Sequence, residues 1–141
     1  MSLHENKALS RRQIEMWSEG NSDSPEEIFS PNYINHQESD VEGEGHRDLA
    51  GFKELVNGFH RAFSNSRVTV LSQIAEGDLV STRWEITATN TGDYMDLANA
   101  TDKTMTWRGV LTDRFENGKI AETWVDWDEY RFFKGLGLIK E

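Results

Sequence analysis

Residues 114–124 read Arg114-Phe115-Glu116-Asn117-Gly118-Lys119-Ile120-Ala121-Glu122-Thr123-Trp124. An Asn-Gly step between two extended stretches is the strongest short-range signal for a two-residue β-hairpin, because both central positions need a positive φ. On the N-terminal side Met105, Trp107, Leu111 and Phe115 share one parity and therefore one face of a strand. On the C-terminal side Ile120 to Trp127 form the return strand. If that strand is unbroken, Trp124, Asp126 and Asp128 point to one face, and Ala121, Val125 and Trp127 to the other.

Working back from this hairpin, Val68, Val70 and Ile74 alternate with polar residues, Glu76-Gly77-Asp78 turns the chain, and Val80, Thr82, Trp84, Ile86 and Ala88 alternate back. The connection from Gly92 to Lys103 is long for a compact domain and is the natural gate of any site. Upstream the period becomes helical. Leu9, Arg12, Gln13, Met16 and Trp17 lie near helical spacing, and Gly20 is placed to stop that helix. Ser24-Pro25-Glu26-Glu27 reads as a capping-box start for a second helix. Leu49, Phe52, Leu55, Val56, Phe59 and Phe63 make the apolar stripe of a third. Between these two helices Gln37 to Gly45 reads as a loop, and Tyr130 to Gly137 as a short terminal helix.

The expectation is one α+β domain over residues 1–141, with helices at about 4–63, an antiparallel sheet at about 67–128 and a short helix at 129–137. Strands of this length must twist and coil, so the sheet curls into a cone that the N-terminal helices close around an apolar pocket.

Composition narrows the partners. A formal charge of −10 and the absence of a long Lys/Arg cluster make a phosphate backbone a poor ligand, which argues against nucleic acid. With 0 cysteines there is no disulfide framework or thiolate site. The His residues lack the short spacing of metal motifs, so no metal is expected. No apolar stretch reaches the roughly 20 residues that span a bilayer, and the first residues lack a signal-peptide core, so a cytoplasmic protein without membrane attachment is expected. What remains is a neutral, apolar small molecule, or a second copy of the chain.

Several landmarks occur in an order that resembles the SnoaL-like polyketide cyclases of the nuclear-transport-factor-2-like fold. They are Tyr33-Ile34-Asn35-His36, the stretch Gly45 to Phe63, Ala75-Glu76-Gly77-Asp78-Leu79-Val80, Thr91-Gly92-Asp93-Tyr94, the hairpin quoted above, Asp128, and Gly135-Leu136-Gly137. The resemblance implies acid/base chemistry without a cofactor, an aldol-type cyclisation of a polyketide-like or other carbonyl compound. One departure is that Thr89-Asn90-Thr91-Gly92 stands where family members often carry Thr-His-x-Gly.

The resemblance places the catalytic carboxylate after the Trp of the last strand, which selects Asp128. On a Trp-lined face its pKa would rise toward neutrality. The plainer reading is an N-cap for the terminal helix. Asp126 is the rival carboxylate on the same face, and His36 a candidate proton shuttle at the mouth of the cone. Trp84, Trp107 and Trp124 are candidates for an aromatic floor, Tyr33, Phe52 and Phe59 for the opposite wall, and Asn90 for a substrate contact. Isomerisation, dehydration or epoxide opening on the same fold are alternatives, the last requiring Asp126, Arg108 and Asp128 together. A pocket protein that only binds its ligand is another. A homodimer is expected across the outer sheet face, on the apolar residues Ala121, Val125 and Trp127.

Overall fold

Two long hairpins carry the architecture. The structure, a computed structural model, describes residues 2–37 and 46–139. Its elements run α1 (Leu3–Glu15), α2 (Pro25–Ile28), β1 (Phe29–His36), β2 (His46–Asp48), α3 (Leu49–Ala62), β3 (Phe63–Glu76), β4 (Leu79–Asn90), β5 (Thr104–Glu116), β6 (Lys119–Trp127) and α4 (Glu129–Gly135). One curled, unclosed six-stranded sheet has the order β2-β1-β6-β5-β4-β3. All neighbours are antiparallel except β1 and β6, which pair in parallel. The mixed α+β class is as expected.

The Asn117-Gly118 turn has φ values of 52° and 78°, the conformation that makes this dipeptide a hairpin turn. Between Arg114 and Phe115 the register then shifts: Phe115 pairs with Ile120, while Arg114 pairs with Glu122. The extra residue, Ala121, is a β-bulge, and a bulge reverses which side chains face the core from that point on. In consequence Thr123 is buried and Val125 and Trp127 pack on the core, while Asp126 is exposed. The face expected for β6 is thus inverted. Trp124, Asp126 and Asp128 lie on the convex side, while of the residues expected to form an apolar outer surface Ala121 is buried and Val125 and Trp127 pack on the core.

Two further expectations are corrected. Part of the region read as helix and loop contains β1 and β2, and Tyr33 to His36 lie within β1. Helix α2 is one turn, and Ser24 makes no capping bond to it, donating instead to Glu26 Oε2 at 2.9 Å. The chain is extended from Phe29 onward because β1 pairs with β6, and sheet pairing overrides the helix start. Most of the expected Gly-rich loop, 38–45, lies outside the described residues.

Helix α1 begins in a capping box formed by Ser2 and Glu5. Helix α3 is capped by Asp48, whose side chain accepts from Gly51 N at 2.9 Å. Both helices lie on the sheet. Two clusters of buried side chains result, one around Trp84, Trp107 and Phe132, the other around Phe29, Tyr33 and Phe52.

Candidate functional site

The curl leaves a cavity of about 70 Å³ on the concave side. This is several times the space one water needs and suits a mono- or bicyclic group, so a larger ligand requires the walls to part. Ile14, Trp17, Phe52, Leu55 and Phe59 form its helical wall. Trp84, Ile86, Trp107, Leu111, Val125 and Trp127 form the sheet wall, with Tyr94 from the long loop and Phe132 from α4. The polar members are three carboxamides, Gln13, Asn35 and Gln37. Among the described residues no Asp, Glu, His, Lys or Arg lines the cavity.

The carboxamides come from a polar seam that the fold buries deliberately. Asn6, Ser10 and Gln13, at helical spacing on α1, are the side chains this helix turns inward along with Ile14. Tyr33, Asn35 and Gln37, alternating along β1 and just beyond it, share its inner face. Asp113 and Thr123 are directly paired on β5 and β6. Gln37 Nε2 donates to Asn35 Oδ1 at 3.1 Å, and Asn35 Nδ2 donates to the Tyr33 hydroxyl at 2.9 Å.

At the inner end of the seam sits Asp113, 0% exposed. Ser10 Oγ donates to its Oδ2 and Thr123 Oγ1 to its Oδ1, each at 2.6 Å. One arm of the Gln13 carboxamide lies 2.6 and 2.7 Å from the two Asp113 oxygens, and the other lies 3.1 Å from Thr123 Oγ1. If Asp113 is protonated, its hydroxyl donates to Gln13 Oε1, Gln13 Nε2 donates to Thr123, and Thr123 donates back to Asp113. Every donor in that ring meets an acceptor. If Asp113 is ionised, the amide must turn its nitrogen toward the carboxylate, and its oxygen then competes for the Thr123 proton already given to Asp113. Burial pushes the Asp113 carboxyl up to about 7, against the lowering effect of Ser10, Thr123 and Gln13. Burial, with the Asp113 charge second, also pushes the Tyr33 hydroxyl up.

The expected site residues divide into two groups. Phe52, Phe59, Trp84 and Trp107 line the cavity. Tyr33 is fully buried within the seam, behind the wall. Asp128 is exposed and caps α4, its Oδ1 accepting from Arg131 N at 3.0 Å, which is the plainer of its two readings. Asp126 lies with it on the convex face, in a groove with Arg83 and Arg108, and Arg108 pairs with Glu85 at 2.7 Å. His36 stacks on Trp124 with centroids 5.5 Å apart, and its Nε2 lies 2.7 Å from Glu122 Oε2. Glu122 also accepts from Arg114, and His36, then Arg114, hold its carboxyl below the usual range.

Asn90 is fully buried away from the cavity and ties down the long loop. Its Nδ2 donates to the Ala62 and Gly92 carbonyls, and its Oδ1 accepts from the backbone and hydroxyl of Thr101. The residues that sequence reasoning missed include Asp113, Gln13, Thr123, Asn35, Gln37 and Trp127. For Asp113 the signal was present, since it shares the parity of Met105, Trp107, Leu111 and Phe115.

Among the described residues no group of three His, Cys, Asp or Glu is placed to hold a metal, and no helix is long and apolar enough to cross a membrane. The model of the SnoaL-like polyketide cyclase family matches residues 7–136. Among solved structures, AclR from Streptomyces galilaeus, described as a candidate hydroxylase, superposes with a TM-score of 0.84 at 26% identity, covering 99% of this chain and 85% of that one. A candidate polyketide cyclase from Acidithiobacillus ferrooxidans gives 0.78 at 26% identity, covering 97% and 98%. IdmH from Streptomyces antibioticus, also described as a candidate polyketide cyclase, gives 0.78 at 21% identity, covering 94% and 98%. Comparison with curated proteins finds no match.

Proposed function

The chain belongs to the SnoaL-like polyketide cyclase family, and from that premise we propose that it binds a neutral polyketide-like or other carbonyl compound in the concave cavity and promotes aldol-type cyclisation by acid/base catalysis. The observation that carries this reading is the Asp113–Gln13–Thr123 ring. It sets a carboxyl with a pKa near 7 one side chain behind the cavity wall, where a general acid/base for work at neutral pH belongs.

In this mechanism Gln13 is the gate. Its flexible side chain turns aside when substrate enters, and the ionised Asp113 takes the proton α to a carbonyl. The enolate carbon attacks a second carbonyl of the same molecule, and Asp113 returns the proton to the resulting alkoxide. Asn35 and Gln37, bonded to Tyr33 and to each other, line the cavity, and the aromatic walls hold the chain folded in a near-attack geometry.

The test is exchange of the C2 protons of 1-tetralone for solvent deuterium, followed by NMR. Acceleration over buffer that falls about 100- to 10,000-fold in Asp113→Asn supports the base. A second reading, a pocket protein that binds without turnover, draws on the absence of titratable groups among the described cavity-lining residues. Binding of tetralone with exchange no faster than in buffer selects it.

A homodimer and a cytoplasmic setting complete the reading. The contact surface remains the outer, convex face, with Leu71 and Ile74, which are exposed, and Trp124, which is partly so, in place of Ala121, Val125 and Trp127. Sedimentation as a monomer at micromolar concentration would overturn it.

A further inference from the structure

Trp84 lines the cavity and is 4% exposed, yet its indole N–H meets no acceptor among the described residues. The three carboxamides of the same cavity, by contrast, are engaged with Thr123, Tyr33 and one another. The ring has little freedom to turn toward a partner. Trp84 pairs across β4 and β5 with Gly109, which pairs in turn with Trp127 on β6. A Cβ on Gly109 would lie 2.4 Å from Trp84 Cζ2 and 2.6 Å from Trp127 Cβ, so the indole is seated against bare backbone.

A buried donor left without a partner is uncommon, because it has given up its bond to water and received nothing in return. Buried tryptophans usually occupy positions where the N–H reaches an acceptor. Trp84 lines the cavity together with Ile86, Trp107 and Leu111 of the sheet wall, and its Nε1 is covered, so only a ligand that parts these walls can reach it. An acceptor can therefore be supplied by what enters.

We propose that Trp84 Nε1–H is the donor that selects the ligand. The site takes a neutral ring compound with a carbonyl or ether oxygen at its Trp84 end, and discriminates against a hydrocarbon of the same shape. Anionic oxygen is disfavoured because no cation lines the cavity among the described residues. The proposal rests on the reading of this cavity as the ligand site, but not on any turnover there.

The probes are 1-tetralone and tetralin, alike in shape and differing by one carbonyl oxygen. The chain has five tryptophans, and their indole N–H signals are followed by ¹⁵N-resolved NMR, with Trp84→Phe identifying the one of interest. Tetralone should move the Trp84 proton signal downfield and bind about five- to tenfold more tightly than tetralin, the range of one neutral hydrogen bond. Trp84→Phe should bind the two alike.

Equal binding of the probes by the unaltered protein, a Trp84 signal that tetralone leaves in place, or a preference for tetralone that survives Trp84→Phe would each overturn the proposal, as would failure of both probes to bind. The shift is measured on the unaltered chain, so a poorly folded variant does not remove the test. Asp113→Asn should keep the preference for tetralone while losing proton exchange, which separates failure of this inference from failure of the catalytic reading.

Discussion

Ser10 on α1 and Asp113 on β5 are separated by 103 positions in the chain, and their side-chain oxygens lie 2.6 Å apart in the buried interior. This contact joins the first helix to the middle of the sheet through a carboxyl that has lost all solvent. It ties stability to the protonation of one group.

Asp113 is raised from an ordinary 3.8 to about 7, so between these values the folded chain holds a proton that the unfolded chain releases. Its stabilising effect is complete below about pH 4 and is lost as pH rises through 7, the reverse of a salt-bridged carboxylate. Urea unfolding should show a lower midpoint at pH 8 than at pH 5.5, with a loss on the order of a few kcal/mol. In Asp113→Asn, whose amide keeps a donor toward Gln13 and an acceptor for Thr123, this component should vanish. A midpoint in Asp113→Asn that falls with pH as in the unaltered protein would show that another group titrates.

Asp128 is predicted to act on stability alone. Replacing it with Ala removes the cap of α4 and should cost about 1 kcal/mol, while Asn, nearly as good a cap, should cost a few tenths at most. Tetralone exchange should be unchanged in Asp128→Asn and in Asp126→Asn, since both side chains lie on the convex face. A well-folded Asp128→Asn protein that lost a hundredfold in exchange would return the catalytic role to the strand end.

The long hairpins, their Asn-Gly turn and the Met105–Phe115 face were legible because alternation and turn chemistry are local. Ala121 was not, for nothing in Ile120-Ala121-Glu122 announces an extra residue, and one unseen bulge moved Asp126 and Trp127 to the wrong faces. The parallel pairing of β1 with β6 was equally hidden, as it joins segments about 90 residues apart through backbone groups that every residue carries. Asp113 was different. Its parity was readable, but a carboxylate on an apolar stripe is noticed only when the position, rather than the residue type, is taken as the evidence.

Asn90 is predicted to hold the loop that carries Tyr94 into the cavity wall. Its carboxamide makes four hydrogen bonds, two donated to carbonyls and two accepted from Thr101. Asn90→Ala leaves those groups without it and should cost about 2–4 kcal/mol. Hydrogen exchange should quicken across residues 91–103 before it does in Val80 to Ile86. Uniform quickening of both segments would mean that Asn90 supports the sheet and not the loop.

Gly109 is predicted to be irreplaceable for a steric reason. Its φ is not positive, so the backbone itself tolerates alanine. The added methyl, however, would sit 2.4 Å from Trp84 Cζ2, 2.6 Å from Trp127 Cβ and 2.9 Å from the Asp126 carbonyl. The carbonyl belongs to the paired strand and cannot yield without opening the ladder, so the indoles must shift into the cavity. Gly109→Ala should lose about 1–3 kcal/mol, the usual cost of overpacking, and change the near-ultraviolet circular dichroism of the tryptophans. Combining it with Trp84→Phe removes the Cζ2 contact but leaves those with Trp127 and Asp126, so stability should return only in part relative to the sum of the single losses. A double variant that merely adds the two losses would show that Trp84 and position 109 do not compete for the same space.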